Sequence, residues 1–406
     1  MPKLLQIAVE CNTGSTGTIA EAIGNIAINN GWESYIAYGR FYKPSNSQTY
    51  KIESKYEAYI HGLITRLFDS HGKGSLLATK KLIKYIKTIK PDIIHLHHLH
   101  GYYINISTLF DYLSLSNIPV VWTFHDCWSF TGHCAHFDYV GCNKWQTECF
   151  NCPQKKEYPA SYLLDRSKKN YKEKKVLFNS VQNMTIVTVS YWLGGLVKQS
   201  FLKKYPIKII QNGIDINVFS PQNNVQIIRS KYKLSNKFVI LGVAGTWSRR
   251  KGLEEFIKLS KHIDNNSIII LVGLNNKQIR SLPSNIIGIK RTENVKELAE
   301  LYSTADVFVN PTFEDTFPTT NLEALACGTP VVTYKTGGSV EAVSEDTGII
   351  IDKSNVEQLL QAIKTIQNRG KSFYTLKCRE RAIKYFNKNE RYKDYLYLYN
   401  NLLNQK

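Results

Sequence analysis

The chain of 406 residues is long, basic and moderately apolar, and these three properties limit what it can be. With 43% hydrophobic residues it can form one large core or two ordinary ones, so two domains of roughly 200 residues are the natural expectation. The formal net charge of +19 predicts a surface that attracts nucleic acid, anionic lipid or phosphorylated small molecules. The sequence contains no apolar run of about 18 residues and no signal-peptide cleavage pattern, so we expect a cytoplasmic protein.

Segments of β-branched residues alternate with helical stretches along most of the chain. This alternation predicts an α/β protein, and two Rossmann-like parallel sheets in series are the economical interpretation. The strands expected in the first sheet are 3–9, 34–38, 92–97, 119–125 and 185–190. Those expected in the second sheet are 207–211, 238–244, 267–273, 286–289, 306–310 and 330–334.

The boundary between the two halves is predicted at 191–205, where a strand end, a glycine pair and a basic stretch follow one another. Residues 1–195 then form the N-terminal domain, and residues 206–384 form the C-terminal domain. Residues 385–406 carry apolar side chains at helical spacing. We expect this last segment to be a helix that packs back on the N-terminal domain.

Two segments of the C-terminal half suit a phosphate-bearing ligand. In an open α/β sheet, ligands bind beyond the carboxyl ends of the strands, and phosphates bind at helix N-termini. At 243–252 a strand runs into a turn with Arg250 and Lys251, which could clamp a diphosphate, although a solvated basic turn explains the same residues. At 311–330 a loop leads into a helix that carries Glu323 in its first turn.

Four stretches of this half match one known family: Asn-Gly-Ile-Asp at 212–215, Lys-Gly at 251–252, Ala-Asp-Val at 305–307 and Glu-Ala-Leu-Ala-Cys-Gly-Thr-Pro-Val-Val at 323–332. Together they resemble family-four retaining glycosyltransferases, and the likeness spans nearly the whole chain. The chain closely resembles a bacterial subgroup of capsule and colanic-acid transferases. The resemblance implies the GT-B fold of two facing Rossmann-like domains. It also implies retaining transfer of a sugar from a nucleotide-diphosphate sugar to a saccharide acceptor in surface polysaccharide biosynthesis.

In that family two glutamates separated by seven residues bind the donor, and Glu323 matches the second, which holds the ribose hydroxyls. Asp315 occupies the first position, beside the transferred sugar, with Glu314 immediately before it as the fallback. The chain departs from the family at Thr246, where an arginine binds phosphate, and at Pro318, often glycine. The donor-binding residues implied by the resemblance are Arg250, Lys251, Arg291, Thr292, Glu314, Phe317, Thr319 and Glu323. A plain surface turn explains the pair at 291–292 equally well.

The N-terminal half offers a small-residue turn and polar strand ends. Gly17 and Thr18 lie where backbone N–H groups can approach the donor phosphate, and a tight structural turn is the alternative. The glycine pattern is incomplete, which disfavours a nicotinamide dehydrogenase. By resemblance, His125 is a catalytic residue facing the donor sugar and acceptor. His97 and His100 are predicted to line the acceptor side, because no carboxylate at a suitable spacing supports a metal there.

Residues 127–158 form an irregular stretch that is too long for an ordinary α/β connection. Its cysteines at suitable spacing suffice for a structural, tetrahedral zinc site. These ligands are Cys134, Cys142, Cys149 and Cys152. Four buried, reduced cysteines without metal explain the pattern as well. The metal would fold a lobe beside the acceptor site and perform no chemistry.

We expect no catalytic metal, because basic side chains and helix N-termini can offset the charge of the leaving diphosphate. Basic stretches at 80–90, 166–175 and 198–208 suit an anionic membrane surface or a polyprenyl-diphosphate-linked acceptor, and solvated helix faces explain them too. A nucleotide-sugar epimerase of the same architecture is the alternative function, and it would release a free epimer without a glycoside. A nucleic-acid-binding zinc protein ranks third, because it leaves the segment around Glu323 unexplained.

Overall fold

The computed structural model describes residues 1–52 and 55–405. The chain divides into two compact units, which are Met1–Gln211 with the C-terminal segment from Tyr392 onward, and Asn212–Arg391. Each unit contains one sheet whose neighbouring strands all pair in parallel. The α/β class and the two Rossmann-like sheets predicted from the sequence are confirmed.

The first unit is built on a seven-stranded sheet of order β3-β2-β1-β4-β5-β6-β7. Its strands are β1 (Lys3–Cys11), β2 (Glu33–Tyr42), β3 (Gln48–Lys51), β4 (Ile93–Leu96), β5 (Val120–Phe124), β6 (Met184–Thr188) and β7 (Ile207–Ile209). Its helices before residue 211 are α1 (Gly14–Asn29), α2 (Lys55–Phe68), α3 (Leu76–Ile89), α4 (Ile106–Leu115), α5 (Ser167–Leu177) and α6 (Tyr191–Gln199). The central strands β4, β5 and β6 are buried along their whole length, as expected for a parallel sheet.

The second unit has a six-stranded sheet of order β10-β9-β8-β11-β12-β13. Its strands are β8 (Phe238–Val243), β9 (Ser267–Val272), β10 (Ile286–Ile289), β11 (Val307–Asn310), β12 (Val331–Tyr334) and β13 (Gly348–Ile351). Its helices are α7 (Val225–Lys231), α8 (Leu253–Leu259), α9 (Asn276–Arg280), α10 (Val295–Thr304), α11 (Thr319–Ala326), α12 (Val356–Arg369), α13 (Lys371–Phe386) and α14 (Lys388–Arg391).

The strand predicted at 207–211 belongs to the first sheet and not to the second. As β7, it pairs with β6 in the register Ile186 with Ile207 and Thr188 with Ile209. The division between the units therefore falls after Gln211, later than the predicted 191–205. Chain order alone does not reveal which sheet a short strand joins, because both sheets need parallel edge strands.

The C-terminal segment is two pieces of chain and not one helix. Residues up to Arg391 stay with the second unit, and α15 (Lys393–Asn404) belongs to the first. Tyr395 and Tyr399 on α15 are buried. The Tyr399 hydroxyl lies 2.6 Å from His95 Nδ1, and the Tyr395 hydroxyl lies 3.2 Å from Thr123 Oγ1. These contacts fix α15 against β4 and β5.

Candidate active site

In the second unit, the turn after β8 is held against the loop after β11. Residues Arg249–Lys251 form one short 3-10 turn that ends at Gly252, whose φ of +79° suits glycine. A Cβ at position 252 would lie 2.2 Å from the Pro311 carbonyl oxygen. The Phe313 amide also donates to the Arg250 carbonyl at 2.8 Å. Glycine therefore lets the two segments singled out in the sequence come together.

A cation and a carboxylate meet where these segments touch. Lys251 Nζ lies 2.5 Å from Asp315 Oδ2, and both side chains are partly buried. Arg250 donates through Nη1 to the Glu314 carbonyl at 2.8 Å. The Gly338 amide donates to the Asp315 carbonyl at 3.1 Å, which fixes the loop from its other side. The structure thus unites the predicted phosphate-binding lysine with the predicted first carboxylate.

Glu323 lies on α11 and has its own partners. Its Oε2 accepts a hydrogen bond of 2.9 Å from the buried Tyr302 hydroxyl, and Thr319 also bonds its carboxylate. Burial raises the pKa of Glu323 to about 7, while these two hydrogen bonds act in the opposite direction. The carboxylate is therefore poised to change charge near neutral pH.

The other predicted donor residues fall into two groups. Glu314 and Phe317 are buried, and the Phe317 ring packs edge-to-face on Phe386 with 6.1 Å between centroids. Arg291 is exposed and Thr292 partly exposed in the connection between β10 and α10. Packing thus accounts for Phe317, and the donor-base role of the exposed pair stays a prediction.

In the first unit, a polar side chain within β1 and two that directly follow β4 and β5 form a hydrogen-bonded row. Gln6 Nε2 donates to the Ala20 carbonyl, so its Oε1 is the acceptor for His97 Nε2 at 3.1 Å. His97 Nδ1 is then the acceptor facing His125 Nε2 at 3.3 Å. Burial lowers the pKa of both histidines well below its ordinary value, with neighbouring imidazoles adding to the effect. Both are therefore neutral at pH 7.

Asp126 follows His125 and organises a second group. His100 Nε2 lies 2.7 Å from Asp126 Oδ2, and His98 Nε2 lies 3.3 Å from the same oxygen without a hydrogen-bonding angle. The Trp128 amide donates to Asp126 Oδ1 at 2.9 Å. Burial alone would raise the pKa of Asp126, but the two imidazoles hold it well below its usual range. Within the described chain, these three side chains place their ligand atoms within 4.8 Å of one another, so they could hold a cation.

The start of α1, where a phosphate contact is predicted, packs closely against β1. A Cβ at Gly14 would lie 1.9 Å from Glu10 Oε2, so a carboxylate already stands at this helix terminus. Gly17 packs closely on β1, where a Cβ would lie 3.0 Å from the Glu10 Cβ. The Thr18 hydroxyl donates to helix carbonyls of Gly14 and Ser15, each at 2.9 Å. Local packing thus explains both predicted residues, and their phosphate contact stays a prediction.

Comparison with known proteins identifies the family of the chain that carries these sites. Residues 224–388 match the family model "Glycosyl transferases group 1", and residues 28–218 match "Glycosyltransferase Family 4". The chain belongs to the GT-B glycosyltransferases. WcaC of Escherichia coli, whose name assigns it to colanic acid biosynthesis as a glycosyl transferase, is 24% identical over 89% of this chain and 90% of its own.

Solved structures support the same fold for this glycosyltransferase. Sucrose-phosphate synthase from Thermosynechococcus elongatus superposes with a TM-score of 0.74, at 17% identity, over 100% of both chains. HepE from Anabaena in complex with UDP superposes with a TM-score of 0.66, at 15% identity, over 98% of this chain and 99% of its own. No helix in the described residues is both long and apolar enough to cross a membrane.

The cysteine-rich segment of the glycosyltransferase contains no strand and no α-helix between β5 and α5, only three short 3-10 turns. Its four predicted zinc ligands are free thiols that line one small cavity. The Phe137 and Trp145 rings stack beside it with 5.0 Å between centroids. The structure lines one cavity with these four cysteines, and zinc binding stays a prediction.

The sequence did not reveal residues whose role depends on a contact with another functional side chain. Tyr302 carries no motif, and its importance follows from its hydrogen bond to Glu323. Gln6 lies inside a strand, yet it fixes the proton positions along the histidine row. Asp126 was visible beside His125, but the spacing along the chain did not show that it meets His98 and His100 from the neighbouring strand.

Proposed function

We propose that this glycosyltransferase transfers a sugar from a nucleotide-diphosphate sugar to a lipid-linked saccharide, with retention of anomeric configuration. The observation that supports the donor class best is the contact of Lys251 with Asp315 on the turn and loop that also place Arg250. The UDP complex of HepE and the colanic acid assignment of WcaC agree with this donor and this biosynthetic role.

The donor diphosphate needs positive charge when the bond from the sugar to the β-phosphate breaks. Lys251 and Arg250 supply it at the carboxyl end of β8. In the absence of donor, Asp315 neutralises the lysine and holds its ammonium in place. Once phosphate contacts Lys251, the Asp315 carboxylate becomes available to accept a hydroxyl hydrogen bond from the transferred sugar.

Glu323 serves the nucleoside end of the donor. An ionised carboxylate accepts hydrogen bonds from two neighbouring ribose hydroxyls, whereas the protonated form loses part of this capacity. Because the pKa of Glu323 is raised to about 7, donor binding is coupled to deprotonation near neutral pH. Tyr302 and Thr319 favour the ionised form through their hydrogen bonds.

The acceptor is assigned to the first unit. His125 is fixed by His97 and Gln6 in a neutral form, which can hydrogen-bond a saccharide hydroxyl without adding charge. The acceptor oxygen bonds to the anomeric carbon on the face from which the phosphate leaves, and the acceptor proton passes to the departing phosphate oxygen. We assign no covalent nucleophile and no catalytic metal to this step. Transfer by chelator-treated protein should therefore be unchanged by added Mg²⁺ or Mn²⁺, and a requirement for either would contradict this mechanism.

A basic cavity of about 620 Å³ in the first unit supports an anionic, lipid-linked acceptor. Arg40, Lys51 and Arg66 line it together with Tyr59 and Tyr102. The cavity lies against α2, which also exposes large apolar side chains. These are Tyr56, Ile60, Leu63 and Phe68. Cations for phosphate beside apolar groups for acyl chains are the combination that an anionic membrane surface attracts.

The donor assignment is tested by thermal stabilisation with a panel of nucleoside diphosphates and their sugar conjugates. We expect one nucleotide to raise the melting temperature of the unmodified protein and to have no effect on Glu323→Ala. Glu380→Ala is the matched control, because this glutamate is exposed and pairs with nearby Lys377 on the same helix. Equal stabilisation of all three proteins would remove Glu323 from the donor site.

The membrane assignment is tested by co-sedimentation with phosphatidylglycerol-containing and neutral phosphatidylcholine vesicles. We expect binding to the anionic vesicles, release by moderate salt, and loss in Arg40→Ser/Arg66→Ser. Lys277→Ser/Arg280→Ser removes the same charge from exposed positions on α9 of the second unit, and it should bind normally. Equal binding to neutral and anionic vesicles would contradict the proposal.

A further inference from the structure

The cysteine-rich segment surrounds a small cavity whose walls carry sulfur and one imidazole. Cys134, Cys142, Cys149 and Cys152 line it, together with His133. All four cysteines are free thiols. The cavity volume is about 10 Å³, which admits a single small occupant and excludes an organic ligand. The chemistry of the lining therefore decides what that occupant is.

His133 presents an unpartnered nitrogen in this cavity wall. Its Nδ1 lies 2.6 Å from Asp69 Oδ1, and both side chains are fully buried. The other Asp69 oxygen accepts the Arg166 amide at 2.8 Å, so the carboxylate is an acceptor and His133 Nδ1 carries the proton. In the neutral ring Nε2 offers a lone pair, and it is buried without a hydrogen-bond partner in the described structure. A carboxylate that fixes the outer nitrogen of an imidazole is typical of metal-binding histidines.

Three of the four thiols form the inner part of the cluster. Cys134 hydrogen-bonds to Cys152, and Cys149 interacts electrostatically with both. The Cys152 thiol is also a neighbour of the His133 ring. Cys142 is a neighbour of Cys149, and like Cys152 it is partly exposed. The shared contacts therefore group Cys134, Cys149 and Cys152 as the inner thiols.

Two further groups around the cluster suit thiolates better than thiols. The Gly132 amide donates to Cys149 Sγ at 3.3 Å, and such a bond is stronger when the sulfur is ionised. Lys174 is buried, and its ammonium donates to the carbonyls of Trp128 and Thr131 at 2.8 and 3.1 Å. In its protonated form, Lys174 places a positive charge next to Cys149 and Cys134. The carboxylates of Asp69 and Asp126 act on the same ammonium, so its charge faces both carboxylates and sulfur.

We propose that this cavity binds one Zn²⁺ through the thiolates of Cys134, Cys149 and Cys152 and through Nε2 of His133. Cys142, a member of the sequence-based set, lies outside the coordination shell. Zn²⁺ prefers four nitrogen and sulfur ligands in a tetrahedron. Three thiolates and one neutral imidazole give the zinc centre a net charge of −1, and Lys174 in its protonated form lies beside two of its ligands. A four-thiolate centre would carry −2.

Metal binding would tighten the site, because the ligand atoms are spread in this structure. Among the described residues, the three side chains with ligand atoms mutually within 4.8 Å are those of His98, His100 and Asp126 and not those of the cysteine cavity. Side-chain rotation must therefore draw the zinc ligands inward, with release of three thiol protons. The metal would then fix residues 125–166, which connect β5 to α5 with no strand and no α-helix.

Zinc content and sulfur count test the site in the full-length protein. Protein purified without chelator, or reduced and exposed to Zn²⁺ and then desalted, should hold about one zinc per chain by elemental analysis. X-ray absorption at the zinc edge should show three sulfur neighbours and one nitrogen neighbour. Absence of zinc under both conditions would overturn the site, and four sulfur neighbours would overturn the assignment of His133.

A matched pair of variants separates the two candidate fourth ligands. Cys142→Ser should keep about one zinc per chain, whereas His133→Asn should lose at least half of it after dialysis against a weak chelator. The reverse result would overturn the choice of His133. Circular dichroism and donor-induced stabilisation check folding of each variant. Because the absorption measurement uses unmodified protein, the proposal stays testable even if His133→Asn does not fold.

Discussion

The hydrogen bond from Tyr302 to Glu323 offers a quantitative test of how the donor site is charged. A hydrogen bond to a charged group contributes about 1.5–3 kcal/mol, and one pKa unit corresponds to about 1.4 kcal/mol. Tyr302→Phe removes a bond of 2.9 Å from a buried hydroxyl. We therefore expect the pKa of Glu323 to rise by roughly 1–2 units above its value of about 7.

Donor affinity should follow the ionised fraction of Glu323. At pH 7.5, a carboxyl with a pKa of about 7 is about three-quarters ionised. An increase of about 1.5 units reduces that fraction to about one-tenth, so binding should weaken by roughly tenfold. At pH 9 most of the affinity should return, because Glu323 is then largely ionised in both the variant and the unmodified protein.

The assay is isothermal titration with the nucleotide sugar that stabilises the protein best, from pH 6 to pH 9. A nucleotide sugar is preferable to a free diphosphate, whose terminal phosphate itself titrates in this range. Tyr232→Phe is the control, because its hydroxyl makes a similar bond of 2.8 Å to Glu297 away from α11. Weakening of the Tyr302 variant by the same factor at every pH would refute the reasoning.

Three further changes probe the same account. Glu323→Gln should raise the melting temperature at pH 8 but not at pH 4. In the unfolded chain the carboxyl ionises above its ordinary pKa of about 4.3, whereas in the folded protein it resists ionisation up to about pH 7. Thermal scans at both pH values show whether the gain is confined to the higher pH. Gly252→Ala should lower the free energy of unfolding by about 2 kcal/mol or more, because it combines a positive φ with a clash at the Pro311 carbonyl. Denaturant unfolding measures this change, and an unchanged midpoint would contradict it. Asp126→Asn should reduce transfer at least tenfold while donor affinity stays constant, because it frees His100 in the first unit, whereas Lys251 and Glu323 belong to the second. A parallel loss of donor affinity would contradict this prediction.

The two sheets could be predicted because buried parallel strands are continuous apolar runs. The edge strands β3 and β13 were missed, since Gln48–Lys51 is largely exposed and has no such run. The strand β7 was assigned to the wrong sheet. It has only three residues, and its position in the chain does not show that it pairs with β6.

The donor motifs could be placed because each side chain lies at a strand end or at a helix start. Lys251 and Asp315 are 64 residues apart in the chain, yet the parallel order of β8 and β11 brings their strand ends together. The sequence did not predict contacts between side chains that lie on different elements. The Glu10 carboxylate at α1, Tyr302 beneath Glu323 and the Asp69 partner of His133 depend on three-dimensional packing.

The central claim is that the protein forms a glycosidic bond from a nucleotide sugar with retention. The most direct measurement is NMR of the reaction with the stabilising donor and short polyprenyl-diphosphate-linked saccharides. We predict release of the nucleoside diphosphate, a new glycoside with the anomeric configuration of the donor, and no product from Glu323→Ala. An inverted glycoside would contradict retention, and a free epimer without any glycoside would contradict transfer.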